Sequence, residues 1–119
     1  MSSERWYKRG DVLLIDFDPV RGSEQGKVRP AVVIQNDVAN QYSPVLIVAA
    51  ITSNPRAPHP TDVEVFAPEG GLRKDSKILL NQIRTIDKIR VIDRWGCLSD
   101  ETINRVDEAL RISLGLVPV

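Results

Sequence analysis

The chain has 119 residues, 16 basic and 16 acidic side chains and a formal net charge of zero, with 42% hydrophobic and 27% charged residues. That length and mix fit a single domain over residues 1–119 with its own hydrophobic core, and they exclude a disordered chain. Balanced charge gives no bulk attraction to a polyanion, so an anionic partner must be held by a local patch.

Residues 1–8 are polar with Trp6 and Tyr7 and read as a loose end. Val12-Leu13-Leu14-Ile15-Asp16-Phe17 is an apolar run of strand length, broken by Asp18-Pro19. The loop over 18–27 is polar and contains Gly22-Ser23-Glu24-Gln25-Gly26-Lys27. Arg21, Lys27 and Arg29 against Glu24 make it a local cationic patch. Pro30 pushes Arg29 into extended geometry. Pro30 also lacks an N–H, which predicts a sheet edge or a first strand position there. The next strand is predicted over 29–36, and 37–43 reads as one turn of helix ended by Pro44. Residues 45–51 are almost continuously apolar, which predicts a strand covered on both faces. A proline-stiffened loop follows from Thr52 to Pro60.

Asp62-Val63-Glu64-Val65-Phe66 alternates as a half-exposed strand does. Residues 68–71 form a turn and 76–80 a further strand. Over 82–93 the apolar positions Ile83, Ile86, Ile89 and Ile92 repeat every three, which predicts a strand pair or a bent strand. Ser99 is a good N-cap, with Asp100 and Glu101 where the helix dipole favours them. Ile103, Val106, Leu110, Ser113/Leu114 and Val117 then lie on one apolar stripe of a terminal helix. Short strands with turns between them and one closing helix predict a mainly β fold, a small antiparallel barrel or a sandwich with the helix against it.

Cys97 is the only cysteine, so no disulfide forms within the chain, which suits a reducing compartment. Beside Trp95 and Leu98 it reads as a buried apolar residue. No apolar run approaches the ~18 residues of a membrane span. The first residues lack the apolar segment of a signal peptide, so a cytoplasmic location is expected. One cysteine and one histidine (His59, between two prolines) cannot build a zinc site. No phosphate-binding loop or dinucleotide fingerprint is present. Ser23 and Ser53 have no evident general base. Metal-dependent hydrolysis, redox chemistry and nucleotide hydrolysis lose support, and no cofactor is expected.

What remains is polar chemistry at strand ends. Arg29 begins one strand and Thr52-Ser53-Asn54 ends the next. If those strands pair antiparallel, Arg29 and Thr52 share one rim of the sheet. A guanidinium and a hydroxyl there can hold a phosphate and stabilise charge developing on it. Such a pair can assist attack by an RNA 2′-hydroxyl on its own adjacent phosphate, a reaction needing neither metal nor protein nucleophile. From spacing alone, a surface salt bridge for Arg29 and a turn cap for Thr52 are the simpler reading.

Four stretches in order alter that balance. They are Arg9-Gly10-Asp11-Val12, then Gly22-Ser23-Glu24-Gln25-Gly26 with Val28-Arg29-Pro30, then Ala49-Ala50-Ile51-Thr52, then residues 79–88, with Asn81-Gln82-Ile83-Arg84-Thr85 at their centre. With them the chain resembles the MazF/PemK family of toxin endoribonucleases, from Arg9 to about Leu116. The resemblance implies an SH3-like barrel with a C-terminal helix. It implies sequence-specific, ribosome-independent cleavage of single-stranded messenger RNA, leaving a 2′,3′-cyclic phosphate and a 5′-hydroxyl. Arg29 matches the family arginine assigned to proton transfer and transition-state charge, and Thr52 the threonine that supports it on the phosphate. Ser23, Glu24 and Gln25 match the loop that lines the RNA groove. Lys27, Ser53, Asn54 and Gln82 are further RNA-binding candidates. The resemblance also implies a homodimer and a cognate antitoxin whose C-terminal segment covers the groove.

The chain departs from the family in two places. Some relatives carry a carboxylate where this chain has Asn81, and a histidine where it has Phe17. An acid–base pair built there is not available. Phe17 either stacks on a base or closes the core. Arg84 is read as serving structure or the dimer contact, and Arg73-Lys74-Asp75 as an exposed turn. The alternative function is a gyrase-poisoning toxin of the same fold without nuclease activity.

Overall fold

Two apolar clusters, one on each face of a single sheet, explain the near-continuous apolar runs. The computed structural model describes residues 6–17, 28–55 and 57–118. Its strands are β1 (Asp11–Asp16), β2 (Val28–Val33), β3 (Val45–Thr52), β4 (Asp62–Val65), β5 (Ser76–Asp87) and β6 (Val91–Cys97). They form one antiparallel sheet in the order β4-β5-β3-β2-β1-β6, with helices α1 (Asp37–Tyr42) and α2 (Asp100–Ser113). Val12, Val32, Ala49, Ile51, Val63 and Ile78 face α2, where Val106 and Ala109 meet them. Their chain neighbours Leu13, Ala31, Val33 and Val48 belong to the second cluster on the other face, with Leu46 and Ile86. This is the two-residue period of a pleated strand with both faces covered. Each fully buried Val, Leu or Ile contributes roughly 1.5–3 kcal/mol.

The expected small barrel arises by curling rather than by a closing ladder. β4 and β6 end the strand order. The 3-10 turn Glu69–Gly71, which follows β4, packs on β6 instead. Gly71 has φ +76°, and a Cβ there would lie 2.2 Å from the Trp95 carbonyl oxygen. Only glycine allows both that backbone angle and that approach.

Four readings of the sequence are corrected. Residues 76–80 and 82–87 form one bent strand, β5, whose register against β3 jumps between Ala49↔Ile83 and Ala50↔Leu79. Such a bulge bends the strand. The three-residue spacing of the isoleucines then spans the end of β5, a 3-10 turn at Lys88–Arg90 and β6, which leaves Ile89 89% exposed. Pro30 is neither the first residue of β2 nor on an edge strand. It pairs with Leu14 of β1, while the β3 ladder begins only at Ala31, so the missing N–H falls where β2 has no partner on that side. Cys97 is exposed, because β6 is an edge strand.

The fourth correction concerns α2. Ser99 caps it as expected, accepting the Thr102 N–H at 3.2 Å. The helix ends at Ser113, short of Val117, and Leu114 is exposed. Gly115, at φ +74°, turns the chain, with Leu116 N–H on the Arg111 carbonyl and Gly115 N–H on that of Ile112. This is the Schellman arrangement, and the glycine two residues past the last turn is its sequence signal. Asn36 caps α1, buried Gln35 donates its side-chain amide to Asn40 Oδ1 at 2.9 Å, and Asn40 Nδ2 donates to the Gln35 backbone carbonyl at 2.8 Å.

Candidate functional site

The β2–β3 ladder decides the geometry of the site. It pairs Val33 with Val48, Val32 with Ala49 and Ala31 with Ala50. Continued by two residues, the same register sets Arg29 opposite Thr52. Opposed residues share a face. Ile51 points to the α2 side, so Arg29 and Thr52 lie on the opposite one. Arg29 is exposed and Thr52 half-buried. The Thr52 Oγ1 accepts the Asn54 N–H at 3.1 Å, which orients the hydroxyl and leaves its own proton to donate.

A cleft of about 500 Å³ opens on this face, lined by Phe17, Arg29, Ala50, Thr52, Gln82 and Arg84 among others. Phe17 packs against the second apolar cluster and carries the Arg84 guanidinium on its ring, 4.9 Å from the centroid. It therefore closes the core, as one of the two readings expected, and also walls the cleft. Gln82 and Arg84 sit two apart on β5 and reach the cleft together. A second cleft of about 340 Å³ continues past Arg29 and Thr52 to Ser53, Asn54, Arg73, Lys74 and Trp95. No carboxylate is among the described residues lining either cleft. So a chain of zero net charge presents a cationic trough.

Of the residues singled out from sequence, Phe17, Arg29, Thr52, Ser53, Asn54 and Gln82 all line these two clefts. Ser23, Glu24, Gln25 and Lys27 lie outside the described residues. The sequence reading did not assign Arg84, Arg73 and Lys74 to the site. For Arg84 the two-residue spacing from Gln82 was an available signal. For Arg73 and Lys74 there was none, because their approach depends on how the turn at Glu69–Gly71 folds onto β6.

Other charged groups serve the scaffold. Arg9 donates to the Ile34 carbonyl at 2.9 Å and pairs with Asp107 of α2 at 2.8 Å. Asp11 pairs with Arg94 at 3.1 Å and accepts the Lys8 N–H. The Arg9-Gly10-Asp11 stretch is thus structural in role. Glu69 accepts the Ser99 N–H at 3.0 Å. Burial pushes its carboxyl up, but bonds from the Ser99 N–H and from the Thr102 and Ser99 hydroxyls, with the charge of Arg105, outweigh this. The net effect holds it below its ordinary value. Among the described residues no group of three or more His, Cys, Asp or Glu side chains is placed to hold a metal ion. No described helix is long and apolar enough to cross a membrane.

The described residues thus form an open, curled six-stranded antiparallel sheet with a terminal helix and a cationic trough at the strand ends. Residues 8–114 match the family described as PemK-like, MazF-like toxin of type II toxin-antitoxin system, and the chain belongs to that family. It is 57% identical over 111 residues to endoribonuclease EndoA of Bacillus subtilis, covering 92% of this chain and 96% of that protein. Among solved structures it is similar to MazE-MazF (Form-II) from Deinococcus radiodurans, with a TM-score of 0.79, 23% identity and coverage of 95% and 99% of the two chains. An endoribonuclease in complex with its cognate antitoxin from Mycobacterial species has a TM-score of 0.78 at 21% identity, with coverage of 95% and 99%. At those identities the solved structures attest the fold alone.

Proposed function

We propose that this chain is the endoribonuclease toxin of a type II toxin–antitoxin pair. It cleaves single-stranded messenger RNA in a sequence-specific manner, without metal or ribosome, and thereby stops translation and growth. The observation that carries this reading is that Arg29 and Thr52 line both clefts together, in a trough free of described carboxylates.

The scissile phosphate rests between the Arg29 guanidinium and the Thr52 hydroxyl. The 2′-oxygen forms a bond to phosphorus and the bond to the 5′-oxygen breaks. One product ends in a 2′,3′-cyclic phosphate and the other in a 5′-hydroxyl, the leaving oxygen taking up a proton. Negative charge grows on the non-bridging oxygens as the fifth bond forms. The planar, permanently charged fork of Arg29 is matched to those oxygens. Thr52 donates its proton to one of them. Arginine keeps its proton throughout the ordinary pH range, so Arg29 acts as donor and charge stabiliser. Among the described residues lining the clefts there is no histidine or carboxylate to take the 2′ proton. The 2′ proton is released to solvent as the new bond forms.

Phe17, Gln82 and Arg84 grip bases on one side of the scissile bond, and Ser53 and Asn54 on the other. Ser23, Glu24, Gln25 and Lys27 are further RNA contacts on this reading. The protein works as a cytoplasmic homodimer of one-domain subunits. Val38, Tyr42 and Ile89, exposed on α1 and on the turn whose Lys88 bonds the Asn40 carbonyl, offer apolar surface for the second copy. The antitoxin inhibits by laying its C-terminal segment over the same trough.

The test is incubation of the purified protein with a long single-stranded RNA in EDTA, with mapping of the ends. Discrete cuts bearing 2′,3′-cyclic phosphate and 5′-hydroxyl ends are expected. Intact RNA together with inhibition of DNA gyrase would overturn the reading in favour of the gyrase-poisoning alternative.

A further inference from the structure

We infer that the second cleft is a subsite for the backbone phosphate next to the one that is cleaved, held by Arg73 and Lys74. This rests on the nuclease reading and extends it to a part of the surface that the reaction itself does not use. The cleft runs from Arg29 and Thr52 to Arg73, Lys74 and Trp95, so it gives a strand held at Arg29 a way on over a cationic surface.

Charge distribution is the first argument. The ion pairs Arg9–Asp107, Arg94–Asp11 and Arg111–Glu108 involve no cation of this cleft. Two carboxylates close in the chain accept backbone N–H groups. Asp75 accepts the Ala67 N–H at 3.0 Å and Glu69 accepts the Ser99 N–H. Arg29, Arg73 and Lys74 thus gather around one concavity without a carboxylate among its lining residues. Like charges held this way repel each other, and a bound polyanion relieves that repulsion.

Preorganisation is the second argument. The Arg73 guanidinium lies over the Trp95 ring, 4.8 Å from its centroid. Stacking orients the guanidinium while leaving its N–H edges to bond phosphate oxygens. The Trp95 ring is itself held, half-buried against the apolar cluster on the α2 face. The chain beside Lys74 is pinned by the Ser76 hydroxyl, which bonds the Lys74 carbonyl at 2.8 Å. Less freedom is then lost on binding than for solvent-exposed cations on a mobile turn.

The decisive experiment compares the unmodified protein with R73Q/K74Q, using one RNA for both cleavage and binding. Binding is followed by fluorescence anisotropy in EDTA across a salt series, with the cleavage site carrying a single 2′-deoxy nucleotide. Each phosphate contact on a single strand adds about 0.7 to the slope of log K against log salt. The double variant gives up that one contact and is therefore expected to lose about 0.7 from the slope. Its KM should rise while kcat stays unchanged. Replacing the adjacent phosphate by a neutral methylphosphonate should weaken binding to the unmodified protein and leave the variant indifferent. Normal cleavage with an unchanged slope and KM in the variant would overturn the subsite and leave the nuclease reading standing. No cleavage of any RNA by the unmodified protein would overturn both. Near-ultraviolet circular dichroism of R73Q/K74Q verifies that Trp95 keeps its packing. If the signal changes, R73K/K74R retains the charge and should restore the slope.

Discussion

Thr52→Val is nearly isosteric and removes only the hydroxyl, so it separates the local role of Thr52 from the chemical role proposed for it. The first is local. The Oγ1 accepts the Asn54 N–H at 3.1 Å in an exposed turn. An exposed hydrogen bond of this kind contributes about 0.5 kcal/mol, the low end of the usual range. That corresponds to a Tm lower by roughly 2 °C in a domain of this size. The second is chemical. A hydroxyl donating to a charged phosphate oxygen contributes about 1.5–3 kcal/mol. If that bond strengthens as charge grows in the transition state, single-turnover cleavage should fall roughly 10- to 150-fold, at 1.36 kcal/mol per decade. Thr52→Ser keeps the hydroxyl and should recover most of the rate. The assay is single-turnover cleavage of one mapped RNA in EDTA, read beside thermal unfolding of each variant. A folded Thr52→Val protein that cleaves within threefold of the unmodified rate would refute the role of Thr52.

Two further outcomes test the scaffold. Gly71→Ala places a Cβ 2.2 Å from the Trp95 carbonyl oxygen at a φ of +76°, where neither backbone can yield. A loss on the order of 2–4 kcal/mol is expected in denaturant unfolding, and a loss under 1 kcal/mol would contradict the described packing of this turn on β6. The Glu69 carboxyl is held below its ordinary value of 4.5. Its stabilising contribution is therefore full above pH 4.5 and is lost as pH falls through the lower folded-state value. Glu69→Gln should flatten that part of the stability–pH curve, which unfolding measured from pH 6 downwards will reveal; an unaltered acid slope would sink the assignment.

The strands were legible because each apolar run alternates between two clusters, as Val12/Leu13 and Val32/Val33 do. Ser99 was legible as a cap because capping is a local property of the chain. The Arg29–Thr52 rim was legible because adjacent antiparallel strands bring the start of one to the end of the next. Features that depend on distant parts of the chain meeting were not legible. The exposure of Cys97 depends on β6 lying at the edge of the sheet. The continuity of β5 depends on a bulge that lets it bend along β3. The approach of Arg73 to Trp95 depends on a turn between β4 and β5 touching β6. The early end of α2 is the exception, since Gly115 marked it in the sequence and the apolar stripe running on to Val117 obscured it.

The central claim is that Arg29 stabilises the transition state of a metal-free cleavage. The measurement that tests it most directly is single-turnover cleavage in EDTA by Arg29→Ala, with RNA binding and antitoxin binding measured on the same preparation. The account predicts loss of cleavage by at least about 100-fold, the scale seen when one donor to a developing oxyanion is removed. Folding and antitoxin binding should be largely kept. Cleavage by folded Arg29→Ala at the unmodified rate, with the same ends, would contradict it.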